Sequence, residues 1–429
     1  YLCYDFYMDK KIKIGLIGLG TVGSGVFKTL KSFDNVEITK IAVRNINKKR
    51  NIEGLDNSII TDDAYEVVNN PDIDIVAELV GGLDPAFDLI ATAIKNGKHI
   101  VTANKELLAK RGEELFNIAE KYNKVILYEA AIAGGIPIIM PVKTILAGNK
   151  INHIEAIVNG TTNYILTKMD VQKASYNDVL KEAQELGYAE ADPTGDVEGY
   201  DAAYKIATLA SITFQKRIKI ENVYREGITK IRAEDMEAAN DLGYKIKLIA
   251  SAHLDENDNA DVRVHPMLVS KKSTLAHIDY VTNAVSLSGH PVGSITLSGP
   301  GAGEFPTASS VVGDILAIAA ELGKSEYILP MMRCKHNSTA NMTDISETTN
   351  KYYLSIHAKN NKGVIGKIGT ICADNDISLA SIVQRCVSDD NTANITVITE
   401  LVKEKNMQNA IKLIEQDGNK VNSLIRVQV

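Results

Sequence analysis

The segment Lys11–Ile17, KIKIGLI, runs straight into Gly18-Leu-Gly20-Thr-Val-Gly23 and then into an amphipathic stretch, and this feature constrains the fold most. A bare G-x-G-x-x-G is a weak pattern, but between a strand and a helix it marks a dinucleotide-binding crossover. Gly18 permits the tight turn, Gly20 lets a pyrophosphate approach the backbone, and Gly23 allows close helix–strand packing. The helix N-terminus supplies amide donors, so Gly18, Gly20, Thr21, Val22 and Gly23 are candidate cofactor residues. The plainer alternative is that the glycines only pack a helix on a sheet. An NAD site usually carries Asp or Glu at the end of the second strand, about 20 residues on. Here that strand ends Ala42-Val43-Arg44-Asn45, with Lys48, Lys49 and Arg50 following. Arg44 and these cations suit a 2′-phosphate and favour NADP over NAD, against the alternative of a solvated basic loop.

From Lys11 to about Asn149 short β-branched runs alternate with helical stretches, which implies βαβ units on a parallel sheet. KIKIGLIG, VEITKIAV, IDIVAELV, KHIVTA and KVILYEA read as its strands, and a helix is expected between Pro85 and Gly97. From Asn152 to Ser298 strand-like runs surround helices near 176–186 and 198–213, an α+β layer, and another helix spans roughly Thr307 to Leu322. The stretch 324–351, rich in Ser, Thr and Asn, reads as a linker. Beyond it the order is βαββαβ, a small ferredoxin-like module.

Two lysines stand out. Lys105 follows the strand HIVTA, at the carboxyl end where ligands of parallel sheets usually sit, with Thr102 just before it. Lys205 lies four residues after Asp201 in a helical stretch, which puts the two on one face. That spacing also fits a surface ion pair. The preceding loop, LGYAEADPTGDVEG, crowds Glu190, Asp192, Asp196 and Glu198, which suggests a cationic ligand such as an α-amino group. Lys205 could then donate a proton at the reacting carbon. A calcium loop is the competing interpretation, but the spacing is not that of an EF-hand.

Other classes are disfavoured. With 47 Lys+Arg against 54 Asp+Glu the net charge is −7, so no broad surface for a nucleic-acid backbone is expected. Cys3, Cys334, Cys372 and Cys386 show no zinc or disulfide spacing, which suits a reducing cytoplasm. No run of about 18 apolar residues suggests a membrane span. Residues 1–7 lack the basic region of a signal peptide, and Met8 reads as a start.

The segments GLGTVGSGV, TANKELLA, EAAIAGGIPII, NGTTNYIL, AEADPTGDVEGYDAAYKIATLA and GPGAGEFPTASSVVGDI, in that order, resemble the homoserine dehydrogenases, from about residue 12 to 322. The tail is similar to an ACT domain, with Lys362 in NNKGVIGKIG where such loops commonly carry proline. The resemblance implies NAD(P)-dependent interconversion of L-aspartate 4-semialdehyde and L-homoserine, toward threonine, methionine and isoleucine. It implies Lys205 as proton donor, Glu190 and Asp201 as substrate binders, and Lys105 near nicotinamide and substrate. Gly187 and Asp196 join the substrate residues, and Gly303 and Thr102 the cofactor residues. It further implies a sodium site made by the Glu129 carboxylate with main-chain oxygens of Ile132, Gly134 and Ile136. The expected division is a Rossmann-type α/β nucleotide domain over 8–135 plus 305–323, and an α+β catalytic and dimerisation domain over 136–304. A linker at 324–350 and an ACT domain over 351–429 complete it. A homodimer or homotetramer and an L-threonine effector at the ACT domain are also implied.

Two other readings compete. Aspartate semialdehyde dehydrogenase needs an activated cysteine, and no cysteine lies between residues 4 and 333. A non-enzymatic sensor built from Rossmann and ACT modules leaves the carboxylate loop and Lys205 without a task.

Overall fold

Ile12–Ile17 (β1) is apolar and buried along nearly its whole length, as expected of a parallel strand covered on both faces. It leads through the glycine turn into α1 (Thr21–Leu30). There follow β2 (Val36–Ala42), β3 (Ile60–Thr61), α2 (Tyr65–Val68), β4 (Ile75–Glu78), α3 (Ala86–Lys95), β5 (His99–Thr102), α4 (Lys105–Lys121) and β6 (Ile126–Leu127). The computed structural model describes residues 11–322, 329–334, 336, 338–387 and 391–429, without the side chains of 385–387. The expectations for residues 1–7, Met8 and Cys3 lie outside them, as does the side chain of Cys386.

The strand order is β3-β2-β1-β4-β5-β6, all parallel. This is the doubly wound dinucleotide-binding order, with its reversal at the carboxyl ends of β1 and β4. The five expected strands are present, although β6 keeps only Ile126 and Leu127 in the sheet. β3 was not anticipated, because two residues carry no periodic signal, and α2 fills with a single turn a gap where a helix was expected. α3 starts at Ala86 with Pro85 as its N-cap, one residue short of the first-turn place expected for that proline, and Gly97 follows the helix at φ +80° as expected.

The chain continues through α5 (Ala130–Ala133), α6 (Ile139–Lys143), β7 (Lys150–Ile157), α7 (Gly160–Gln172), α8 (Tyr176–Glu185), α9 (Thr194–Val197) and α10 (Tyr200–Phe214). Next come β8 (Tyr224–Arg225), α11 (Ala233–Asp241), β9 (Tyr244–Leu254), β10 (Asn259–Ser270), β11 (Thr282–His290), β12 (Gly293–Pro300) and α12 (Glu304–Glu321). It ends with β13 (Asn341–Met342), β14 (Thr349–Lys359), α13 (Val364–Asp374), β15 (Leu379–Val387), β16 (Thr392–Thr399), β17 (Val402–Lys403), α14 (Glu404–Gln416) and β18 (Lys420–Val427). Two compact units result. One holds the described residues up to Asn152 with those of 204–221 and 283–339, and the other holds those of 153–203, 222–282 and 340–429.

In the first unit α12 packs on α1. A Cβ on Gly25 would lie 2.6 Å from the Glu304 carbonyl oxygen, so glycine is what lets the two helices meet there. In the second unit β9 and β10 pair antiparallel from Tyr244↔Ser270 to Leu254↔Ala260. β9 escaped the sequence reading because of its lysines. Lys247 is buried within it, held by Asp279 at 2.8 Å, Asn163 at 3.2 Å and the Ile278 carbonyl. α7 also went unread: seven residues from Thr162 to Met169 are buried around it, so it shows no one-sided apolar stripe.

The tail forms the expected βαββαβ module, with antiparallel strand order β18-β14-β16-β15. Tyr352, Leu354 and Ile356 pack with Ile368, Met407 and Ile414 in its core. It is not a bead on a tether. β18 pairs in parallel with β10, Met267 opposite Arg426 and Leu268 opposite Val427, so one sheet runs β7-β9-β10-β18-β14-β16-β15. The stretch expected as a linker also contributes β13, paired with β10 through Asn259↔Asn341. Among its described residues, polarity marks turns, such as the Asp344 carboxylate accepting the Ser346 amide at 2.8 Å. Among the described residues no helix is long and apolar enough to cross a membrane.

Candidate functional site

The glycine turn meets the steric demands of a dinucleotide. Gly18 sits at φ +102°, and a Cβ there would lie 2.9 Å from the Leu79 carbonyl oxygen. On Gly23 it would lie 2.2 Å from the Gly18 carbonyl oxygen, whereas on the exposed Gly20 it would meet nothing within 4 Å. The open position is the one a pyrophosphate would approach. α1 begins at Thr21 with Gly20 as a cap that has no side chain, so the first-turn amides, Thr21 and Val22 among them, remain for an anion.

Arg44 lies exposed just past the end of β2. Arg50 donates to the carbonyls of Asn45 at 2.8 Å and Lys48 at 2.9 Å and so shapes the loop, which leaves Arg44, Lys48 and Lys49 on its surface. Arg50 thus moves from candidate phosphate ligand to scaffold.

At the carboxyl ends of β4 and β5 the sequence reading missed Glu78. Its buried carboxylate accepts the amides of Val80 at 2.9 Å and Gly81 at 3.1 Å and the Thr102 hydroxyl at 2.7 Å. Thr102 Oγ1 in turn accepts the Asn104 amide at 3.0 Å. The hydroxyl of Thr102, a residue expected at the cofactor, is therefore tied into the turn before Lys105. Asn104 caps α4 through the Leu107 amide at 3.1 Å, and Lys105 is the first, half-buried residue of that helix. An acid closing an apolar strand, IVAELV, was the available signal. Gly303 caps α12 at φ +121°, and the first turn of α12 meets α1 through Lys28–Glu304 at 2.6 Å.

Glu129, the proposed sodium ligand, is buried. Its Oε1 accepts the amides of Ile138 at 2.5 Å and Ile139 at 2.7 Å, and Oε2 that of Met140 at 2.7 Å. Burial raises its pKa, and the three amides oppose that shift. A carboxylate offers about four acceptor positions, so one remains, on Oε2. The Gly134 carbonyl accepts Ser310 Oγ at 2.6 Å and likewise keeps one lone pair, while Ile132 and Ile136 lie buried nearby in sequence. One carboxylate oxygen plus carbonyls fits a monovalent cation. Among the described residues no cluster of three or more His, Cys, Asp or Glu could hold a metal.

In the second unit Asn159 organises the acidic residues. Its Oδ1 caps α7 through the Thr162 amide at 2.9 Å, and its Nδ2 donates to Asp196 at 2.7 Å and Asp201 at 3.0 Å. Asn159 too was missed as a site residue, although it opens the NGTTN motif. α10 runs from the second unit into the first after Ala203, and its Asp201 and Lys205, one turn apart along the helix, are buried, 8% and 9% exposed, which removes the surface ion-pair reading. The rest of the acidic loop divides. Asp192 accepts the Thr194 amide at 3.1 Å and Glu198 the Thr229 hydroxyl at 3.0 Å, contacts that fasten the loop to itself and to the chain beyond α10. Glu190 is exposed outside the Asn159 group, and Gly187 turns the chain beyond α8 at φ +77°. Glu190 is fastened through its backbone, whose carbonyl accepts Gln184 Nε2 at 3.0 Å.

A doubly wound nucleotide fold joined to a helix with a buried lysine and carboxylate defines the class: a nicotinamide-dependent oxidoreductase. Family models described as homoserine dehydrogenase and homoserine dehydrogenase, NAD binding domain, match residues 137–316 and 18–129, and an ACT domain model matches 352–419. The homoserine dehydrogenase of Synechocystis sp. is 41% identical, with 97% of this chain and 99% of that protein covered. A homoserine dehydrogenase crystal structure from Thiobacillus denitrificans superposes with a TM-score of 0.92 at 39% identity, covering 98% of each chain. A hyperthermophilic archaeal homoserine dehydrogenase in complex with NADPH gives a TM-score of 0.62 at 28% identity, covering 71% of this chain and 97% of that one. The chain belongs to the homoserine dehydrogenase family.

Proposed function

We propose that this protein interconverts L-aspartate 4-semialdehyde and L-homoserine in a cytoplasmic route toward threonine, methionine and isoleucine. The observation that carries the reading is the buried Asp201–Lys205 pair on α10, with Asp201 and Asp196 held by Asn159. A bound nicotinamide supplies the hydride to the aldehyde carbon, or takes it in reverse. As the carbonyl π pair moves to oxygen, the Lys205 ammonium gives that oxygen a proton. In the other direction neutral Lys205 takes the hydroxyl proton. Asp201 and Glu190 hold the α-ammonium, with Asp196 and Gly187 shaping the loop, and Lys105 lies toward nicotinamide and substrate. The test is nicotinamide absorbance after mixing protein with L-homoserine and NADP. No change would return the sensor reading.

NADP(H) is the preferred cofactor, through Arg44. Arg44→Ala should weaken NADPH binding about tenfold or more, the worth of a charge-assisted hydrogen bond, and leave NADH binding within twofold. Equal dissociation constants for both cofactors in the unaltered protein would overturn the preference.

Sodium at Glu129, Ile132, Gly134 and Ile136 should raise the melting temperature relative to caesium at equal ionic strength, because a ligand of the native state stabilises it. Identical melting curves would remove the cation. The nucleotide domain is taken as 8–135 plus 305–323, and α12 on α1 supports returning the second segment to it. The layer 136–304 would be catalytic and would dimerise, giving a homodimer or homotetramer.

The ACT module, 351–429, is proposed to bind L-threonine at the loop Asn360–Val364. Gly363 there holds φ +90°, which a β-branched residue rarely adopts. Threonine should inhibit the full-length enzyme at millimolar concentration, and Gly363→Val should remove that inhibition. Full activity of the unaltered protein in millimolar threonine would leave the module structural. Truncation before Lys351 is a poor test, because β10 would lose β18 and the buried Asp235 would lose Ser423 Oγ, at 2.6 Å, and Tyr353 OH, at 3.1 Å.

A further inference from the structure

Within the second unit a short strap joins the ACT module to the acidic turn. At one end Arg426 of β18, 1% exposed, donates to Glu404 of α14 at 2.9 and 3.0 Å and to Glu226 at 2.8 Å, with the Tyr224 hydroxyl at 3.3 Å. Tyr224 and Glu226 flank Arg225 in the strap, and β8 lies in register with β10, Tyr224 opposite Arg263. At the other end Arg225 Nη1 donates to the Glu198 carbonyl at 2.6 Å, and its guanidinium stacks 3.4 Å from the Tyr200 ring centre. The Ile228 amide donates to the Val197 carbonyl at 2.8 Å and Thr229 Oγ1 to the Glu198 carboxylate at 3.0 Å. A Cβ on Gly227 would lie 2.4 Å from that Val197 oxygen, so the strap is pressed directly on the turn. Asp196 and Asp201 stand immediately before and after the residues so gripped.

We infer that Arg225 is a positioning residue that holds the turn 197–200 for substrate binding, and that the Arg426–Glu226 contact ties this grip to the ACT module. The inference rests on the proposal that Asp201 binds the substrate ammonium. It gives the tail an influence on the substrate turn that needs no contact between effector and substrate. Arg426 keeps both oxygens of Glu404 when Glu226 is removed, so Glu226→Ala loosens the strap without leaving a buried charge unpaired.

The experiment uses full-length Arg225→Ala, Arg225→Lys and Glu226→Ala. Arg225→Ala should raise the KM for L-homoserine about tenfold, the worth of a charge-assisted hydrogen bond, with kcat changed less than threefold and NADPH affinity unchanged. Arg225→Lys keeps a donor for the Glu198 carbonyl and should recover part of the loss. Glu226→Ala should raise KM about threefold, and hydrogen exchange should quicken at the 196–201 amides in both alanine variants. A KM within twofold of the unaltered value in both alanine variants, with unchanged exchange, would overturn the inference. Faster exchange with unchanged KM would also overturn it, because the turn would then move without consequence for binding. Asp201→Asn is measured alongside: a normal KM there would sink the ammonium reading itself, whereas a raised KM with normal Arg225 and Glu226 variants would sink only the strap.

Discussion

Lys205→Ala is expected to lower kcat by about 10²- to 10⁴-fold, the usual worth of general acid–base help, while NADPH binding stays unchanged. Lys205 is 9% exposed on α10, so little solvent surrounds it. Removing it leaves the developing alkoxide without a donor, an interaction made only as the reaction proceeds, so kcat and kcat/KM should fall together. Lys205→Arg separates charge from proton transfer. A guanidinium keeps the positive charge but does not release its proton near neutral pH, so this variant should stay slow. Steady-state rates in both directions, with NADPH affinity from fluorescence titration, make the test. Near-normal turnover in Lys205→Ala would move the donor role to Lys105, first residue of α4 at the carboxyl end of β5.

What could be read in the sequence depended on whether a signal was local. The glycine turn was legible because steric demands leave a fixed spacing: Gly18 has a positive φ, Gly23 has no room for a Cβ, and Gly20 faces open space. The parallel strands and the βαββαβ tail were legible because short apolar runs and amphipathic helices have different periods. Hidden features were those whose meaning lies in distant partners. β9 carries lysines that look solvent-facing until Asp279 and the Ile278 carbonyl receive Lys247. Acidic clustering likewise does not reveal that Asp192 and Glu198 also accept from Thr194 and Thr229. Asn159 and Glu78 are buried polar residues whose work is to fix other polar groups, and no spacing rule announces that. The junction of β18 with β10 joins residues more than 150 positions apart, Met267 to Arg426, and a polar connecting stretch suggested the opposite.

Asp201→Asn is expected to raise the KM for L-homoserine by about 10- to 100-fold, the worth of a hydrogen bond to a charged group, with NADPH affinity unchanged. The substitution keeps the shape and an acceptor oxygen for Asn159 Nδ2, now 3.0 Å from Asp201, so α10 should keep its place. What it removes is the negative charge. Burial makes that charge matter, since an ammonium held by an 8%-exposed carboxylate is screened far less than one in water. Glu190 provides the contrast. It is exposed, and an exposed ion pair is worth little, so Glu190→Gln should raise KM by only about two- to fivefold. The order of the two effects is therefore a sharper test than either alone. Homoserine titrations at saturating NADP, with melting temperatures to confirm folding, supply it. A larger loss from Glu190→Gln than from Asp201→Asn would make the exposed loop the substrate anchor and reduce Asp201 to a support for α10.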